Sequence, residues 1–193
     1  MSISNSRALR ADAQLNHDRL LESAARAFAR EGADASLKAI AQDAGVGIGT
    51  LYRRFPTRDD LIEATYRNET ERLCERAPDL LRELPPRAAM QTWMEGFVDY
   101  LQTKHGMAEA LPAILAAHDG LRRQSRDLLR RAIEILLEAC IEEGSLGAAV
   151  PADDIMMALG GITLIAANES QRDLASRLIE LLLAGLAPAG KRH

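Results

Sequence analysis

The chain contains 33 alanines and 28 leucines but only 3 valines, 12 isoleucines and 7 threonines. Alanine and leucine give up little entropy in a helix, whereas β-branched side chains lose χ1 freedom there and favour strands. This imbalance predicts an all-α fold. An apolar share of 47% beside 27% charged residues is that of a packed globular chain, not a disordered one. At 193 residues one domain is the default, with two small helical ones the alternative.

Hydrophobic periodicity and helix-stop signals divide the chain into about nine helices. Residues 1–14 are small and polar, with Arg7 and Arg10 their only cations, and are expected to form a flexible arm. The first helix is predicted from Asn16 to Glu31, with Gly32 as its C-terminal cap. Ser36 is placed to cap a short helix through Ala44, and a second short one runs from Ile48 to Phe55. Pro56 then disfavours helical geometry in the residue before it. A longer helix opens after Thr57 and is expected to stop near Arg76, ahead of Pro78. Further helices are predicted from Pro85-Pro86 to Thr103, Met107 to Ala117, Leu121 to Gly144, Ala152 to Asn168 and Gln171 to Ala187.

Several function classes fall away at this stage. Cys74 and Cys140 stand 66 positions apart, without metal-ligand spacing, and two cysteines do not make a disulfide scaffold. No paired carboxylates, nucleophile–base pair or metal cluster stands at a recognisable spacing, so neither enzyme, cofactor nor metal is expected. The longest uncharged helical run, Ile155–Asn168, has 14 residues, short of the roughly 20 that span a bilayer. No membrane partner is therefore expected, and a reducing cytoplasm is the simplest location.

Net charge, at −4, argues at first sight against a polyanionic partner. Its distribution argues otherwise. Residues 1–66 carry nine cations and nine anions, so all of the excess acid lies in residues 67–193. Between Ser36 and Arg58, Lys38, Arg53, Arg54 and Arg58 face a single acid, Asp43. The same stretch, residues 36–55, has the parts of a helix-turn-helix: a short apolar-striped helix, a turn with Gly45, and a second short helix. Leu51 and Phe55, four apart, face inward together, while Gly49, Thr50 and Arg53 share the opposite side. The N-terminal residues of such a helix meet base edges in the major groove. Gly45-x-Gly47-x-Gly49 is no dinucleotide loop, because no strand precedes it and the third glycine is misplaced.

Gly49-Thr50-Leu51-Tyr52-Arg53-Arg54-Phe55-Pro56-Thr57-Arg58, within a match from about Leu15 to Tyr66, resembles the DNA-binding domain of the TetR family of transcriptional regulators. The resemblance implies that Tyr52 and Arg58 grip phosphates, with Lys38, Gly49, Thr50, Arg53 and Arg54 on or near the reading surface. Beyond the arm over 1–14, it implies a DNA-binding domain over 15–66 and a ligand-binding and dimerisation domain over 67–193. It further implies a homodimeric repressor of a palindromic operator, released by a small molecule of largely apolar character. Two positions depart from the family pattern: Gly47 stands where a capping Ser is frequent, and Ile48 where a polar or basic residue is. Helical phase puts Ile48 with Leu51 and Phe55 in the core, while the family alignment puts it near bases. These departures are the only support for the alternative of a helical protein–protein adaptor without DNA binding.

In the larger part, Trp93, Met94, Phe97, Tyr100, Leu101, Met107, Leu111, Ile114 and His118 supply large, adaptable side chains that could line a ligand cavity, although each alone also suits a core. Leu174, Leu178, Leu181 and Leu182 form one apolar stripe of the last helix, and Ile179, Leu183 and Leu186 a second, so this helix is buried on more than one side. The small residues Ala158 and Gly161 in the preceding helix permit close backbone approach. Together these two helices are expected to build a four-helix dimer interface across a two-fold axis.

Overall fold

The computed structural model describes residues 3–147, 150–166 and 171–188. Among the described residues it is all-α, with nine helices and no strand: α1 (Ile3–Glu31), α2 (Leu37–Asp43), α3 (Ile48–Arg54), α4 (Arg58–Glu83), α5 (Pro86–Gly106), α6 (Leu111–Ala117), α7 (Asp119–Glu143), α8 (Ala152–Ile165) and α9 (Arg172–Gly185).

The contacts divide the chain into two compact units, Met1–Asn68 with Thr103–His118, and Glu69–Gln102 with Asp119–His193. Thr103–His118, within the part expected over 67–193, folds with the first unit. The cause is local. Gly106 ends α5 against the backbone of α1, where an added Cβ would lie 2.6 Å from the Phe28 carbonyl carbon and 3.0 Å from Ala29 Cα. The Lys104 ammonium lies 5.9 Å from the Tyr66 ring centroid, and His118 Nδ1 lies 3.7 Å from Glu63 Oε2. Met107, Leu111 and Ile114 are buried here with Leu20, Phe28, Ile40, Leu51, Leu61 and Ile62.

In the second unit α5 contributes buried Trp93, Met94, Phe97 and Tyr100, and α7 contributes Leu129, Ile133, Leu136 and Cys140. One face of α8 (Ile155, Leu159, Ile162) and one of α9 (Ala175, Ile179, Leu183) complete the buried set. Arg126 and Arg130 of α7 hold Asp153 in the first turn of α8, at 3.1 and 3.3 Å.

Several helix boundaries differ from expectation, those of α1 and α4 most. α1 is assigned from Ile3, where an arm over 1–14 was expected. Residues 3–15 lack an apolar stripe, which hides the helix from periodicity, but they hold no Gly or Pro to stop it. The side chains of residues 1–13, including Arg7 and Arg10, lie outside the described residues. α4 runs through Pro78 to Glu83 instead of ending near Arg76. Proline costs an interior helical hydrogen bond, but Leu73, Ala77 and Leu80 are buried on both sides of it. The Trp93 indole N–H also donates to the Leu73 carbonyl at 2.8 Å, which ties α4 to α5 five residues ahead of the proline. The predicted ends of the last two helices shorten to Ile165 and Gly185, and Asn168 lies outside the described residues.

Candidate nucleic-acid interface

The helix-turn-helix is built by short-range signals. Ser36 Oγ accepts from the Ala39 N–H at 3.3 Å and starts α2. Gly45, at φ +71°, makes the left-handed turn that an L side chain resists. Gly47 begins α3 from an extended conformation without a side-chain cap, as expected of glycine where serine would cap. Downstream, Thr57 and Asp60 satisfy each other's backbone: Thr57 N–H donates to Asp60 Oδ2 at 2.9 Å and Asp60 N–H to Thr57 Oγ1 at 3.1 Å. This capping box fixes the start of α4 immediately after the recognition segment, and the Thr57 hydrogen bonds hold the Asp60 carboxyl below its usual pKa.

Leu51 and Phe55 anchor α3, at 0% and 5% exposure. Gly49, Tyr52, Arg53 and Arg54 are exposed and Thr50 is half-buried, so the face opposite the anchors looks outward. Arg53 Nη2 donates to Thr50 Oγ1 at 3.0 Å, which pairs the two side chains before any partner arrives. Lys38 is exposed on α2. Asp43, the acid of this stretch, is bound by Arg26 of α1 at 2.7 Å. Hydrogen bonds from Arg26 and Ser23 keep its carboxyl below the ordinary range. Its charge is thus balanced from behind, and the outward face stays cationic.

Three residues show features that the sequence did not indicate. Ile48 is 40% exposed, so helical phase misplaces it: the opening turn of α3 projects beyond what covers Leu51. Arg58 is half-buried, and its Nη1 donates to the carbonyls of Ala33 and Ala35 at 2.8 and 2.7 Å. It ties the start of α4 to the α1–α2 turn, a duty the resemblance did not indicate. His17 of α1 was not singled out at all, yet its Nδ1 accepts from Arg54 Nε at 3.0 Å and its ring stacks on Phe55 with centroids 5.6 Å apart. Spacing cannot reveal a partner 37 residues away.

In the second unit Trp93, Met94, Phe97 and Tyr100 are buried and Leu101 is half-buried. Trp93 and Phe97 approach at 5.6 Å, and Phe97 and Tyr100 at 5.7 Å. These side chains pack as core. Met107, Leu111, Ile114 and His118 belong to the first unit, where His118 is exposed at the C-terminal end of α6. A cleft of about 210 Å³ instead opens beside Thr92, Glu95, Gly96 and Asp99 of α5, with Arg76 and Arg172 on its rim. Thr92, Gly96 and Asp99 each sit one residue before an aromatic position, about 100° round the helix. Of the expected interface residues, Leu181 is 68% exposed, Gly161 is exposed, and Ala158, Leu174, Leu178 and Leu182 are half-buried. Met157, Leu164 and Ile165 of α8 were missed, and they are 71%, 72% and 62% exposed.

Residues 20–65 match the family model described as bacterial regulatory proteins, tetR family. Residues 85–188, over half the chain, match that of the transcriptional regulator SbtR-like C-terminal domain. The chain belongs to the TetR family. It is similar to a TetR transcriptional regulator from Streptomyces coelicolor, with 46% identity over 90% of this chain and 99% of that one, at a TM-score of 0.84. A TetR regulatory protein from Mycobacterium vanbaalenii shares 29% identity over 93% of this chain and 99% of that one, at a TM-score of 0.75. A TetR-family regulator from Agrobacterium tumefaciens, at 18% identity and a TM-score of 0.68 over 91% of this chain and 99% of its own, shares the fold. TetR-family regulators are non-enzymatic DNA-binding proteins, and this chain is accordingly a DNA-binding regulator of transcription. No described helix of this TetR regulator is long and apolar enough to cross a membrane.

Proposed function

We propose that this TetR-family protein is a repressor that binds a near-palindromic operator as a homodimer and is released by a small molecule. The observation that carries the DNA half is the outward face of α3, anchored by Leu51 and Phe55 and free of acidic side chains. Thr50 and Arg53, already paired, are the proposed base readers, with Gly49 admitting close approach of the backbone. Tyr52, Arg54 and Lys38 are the proposed phosphate contacts. Arg58 is proposed to act chiefly by holding the α1–α2 turn. On a duplex selected from a random-sequence library, Arg53→Ala should relax the preference at one position of each half-site and weaken binding by about 1–3 kcal/mol. Tyr52→Phe should weaken all sequences alike. Unchanged affinity and selectivity in both variants would remove α3 from the interface.

Homodimerisation is supported by two apolar stripes with the same spacing. Met157, Gly161, Leu164 and Ile165 follow one another at i, i+4, i+7 and i+8 on α8, and Leu174, Leu178, Leu181 and Leu182 do so on α9. Large apolar side chains this exposed are characteristic of an interaction surface. Two such helices from each subunit suffice for a four-helix seam. Leu164→Glu with Leu181→Glu should convert the dimer into a folded monomer in sedimentation velocity, and should abolish operator binding at concentrations where the parent binds. A parent protein that sediments as a monomer contradicts this arrangement.

Effector release is proposed to act through the second unit, where Trp93, Met94, Phe97, Tyr100 and Leu101 offer an apolar lining once their packing opens. A ligand shifts the DNA-bound population only through unequal affinity for the two states. Trp93 is the single tryptophan, so its emission reports occupancy of this site directly.

A further inference from the structure

The hydrogen bond between α1 and the end of α3 is the feature of the cationic face that no sequence signal accounts for. Arg54 Nε donates to His17 Nδ1 at 3.0 Å. The imidazole cannot easily swing away, because it lies against the Phe55 ring at an interplanar angle of 24° and Phe55 is itself buried. Burial first, and the Arg54 guanidinium second, lower the His17 pKa, while Asp18 on the same helix opposes them. Asp18 is itself engaged, its Oδ1 accepting from Gln14 Nε2 at 2.8 Å. A neutral imidazole offers one acceptor nitrogen, and here that nitrogen is Nδ1.

An unanchored arginine on an exposed helix end spreads over many rotamers and loses that freedom on contacting a phosphate. The link through Nε removes part of this loss in advance. It also leaves Nη1 and Nη2, which form forked contacts with anionic oxygens, for the partner. Resting on the assignment of α3 as the DNA-contacting helix, we propose that His17 is the positioning residue for Arg54, holding its guanidinium so that both amino groups meet one phosphate of the operator backbone. His17 does not itself touch DNA in this arrangement. It acts through Arg54, and the geometry makes that dependence measurable.

The test is a double-mutant cycle on the library-selected duplex, with His17→Ala, Arg54→Ala, the double variant and His17→Gln, whose amide oxygen can still accept. Arg54→Ala should weaken binding by about tenfold, since it forfeits a charge-assisted contact, and His17→Ala by about threefold, since the contact survives without its positioning. The double variant should bind no more weakly than Arg54→Ala alone, and His17→Gln should recover most of the affinity. In the free protein, ¹⁵N NMR of the imidazole should show the Nε2–H tautomer with Nδ1 hydrogen-bonded, a signature that Arg54→Ala removes. Losses that multiply in the double variant overturn the inference, because His17 then acts without Arg54. Wild-type affinity in Arg54→Ala overturns it too, while effects at Tyr52 and Arg53 would keep the DNA assignment. If the parent protein selects no duplex, that assignment fails along with the inference.

Discussion

Gly106→Ala should lower the melting temperature by about 6–12 °C, corresponding to about 3 kcal/mol for overpacking in a chain of this size. The new Cβ would meet the carbonyl group of Phe28 and the Cα of Ala29, all backbone atoms, so no side chain can turn aside to admit it. Either the end of α5 withdraws from α1 or the C-terminal turn of α1 deforms. Both routes strain the unit that carries α3, and the adjoining interactions of Lys104 with Tyr66 and His118 with Glu63 should weaken with them. Differential scanning calorimetry measures the shift, and hydrogen exchange at residues 28–32 locates it. A variant that melts like the parent would show that α5 does not approach α1 as described.

Trp93→Ala should be more damaging still, by about 3–5 kcal/mol, because it removes the largest buried side chain and leaves a cavity. It also strips the Leu73 carbonyl of its indole partner. Trp93→Phe separates the two contributions. An aromatic ring is retained and the N–H is removed, so its cost should fall to about 1 kcal/mol, the net worth of one hydrogen bond. Urea denaturation of the three proteins measures both steps. If the Phe variant matches the parent, the hydrogen bond to Leu73 contributes nothing to stability.

These two positions also show how far the sequence alone reaches. Trp93 was legible as an apolar residue in a helical stripe, but periodicity reports a face and not the depth of packing behind it. The same holds for Met94, Phe97 and Tyr100, which read equally well as pocket or core and are packed together. Gly106 carried no signal, because a missing Cβ matters only against a neighbour 78 residues away. The helix-turn-helix was legible almost entirely: Ser36, Gly45, Leu51, Phe55 and Pro56 each act within a few positions of their own. Arg58 and His17 were not, since their partners lie 23–37 residues off. On α8 the small residues suggested an interface, while exposed Met157, Leu164 and Ile165 gave no separate signal in a helix apolar on most sides, whose buried face is Ile155, Leu159 and Ile162.

Charge follows the same lesson. A net −4 describes the whole chain, but a nucleic-acid partner meets only the face presented to it. With Asp43 bound by Arg26 and the acidic excess confined beyond residue 66, that face is cationic. The most direct test is a salt titration of binding to the selected duplex by the parent, Lys38→Gln and Arg54→Gln. The parent should show a steep linear fall of log K with log salt concentration, and each variant should shallow that slope by about one unit for every phosphate it no longer neutralises. Identical slopes in all three proteins would contradict the claim that the cationic face of the helix-turn-helix carries DNA binding.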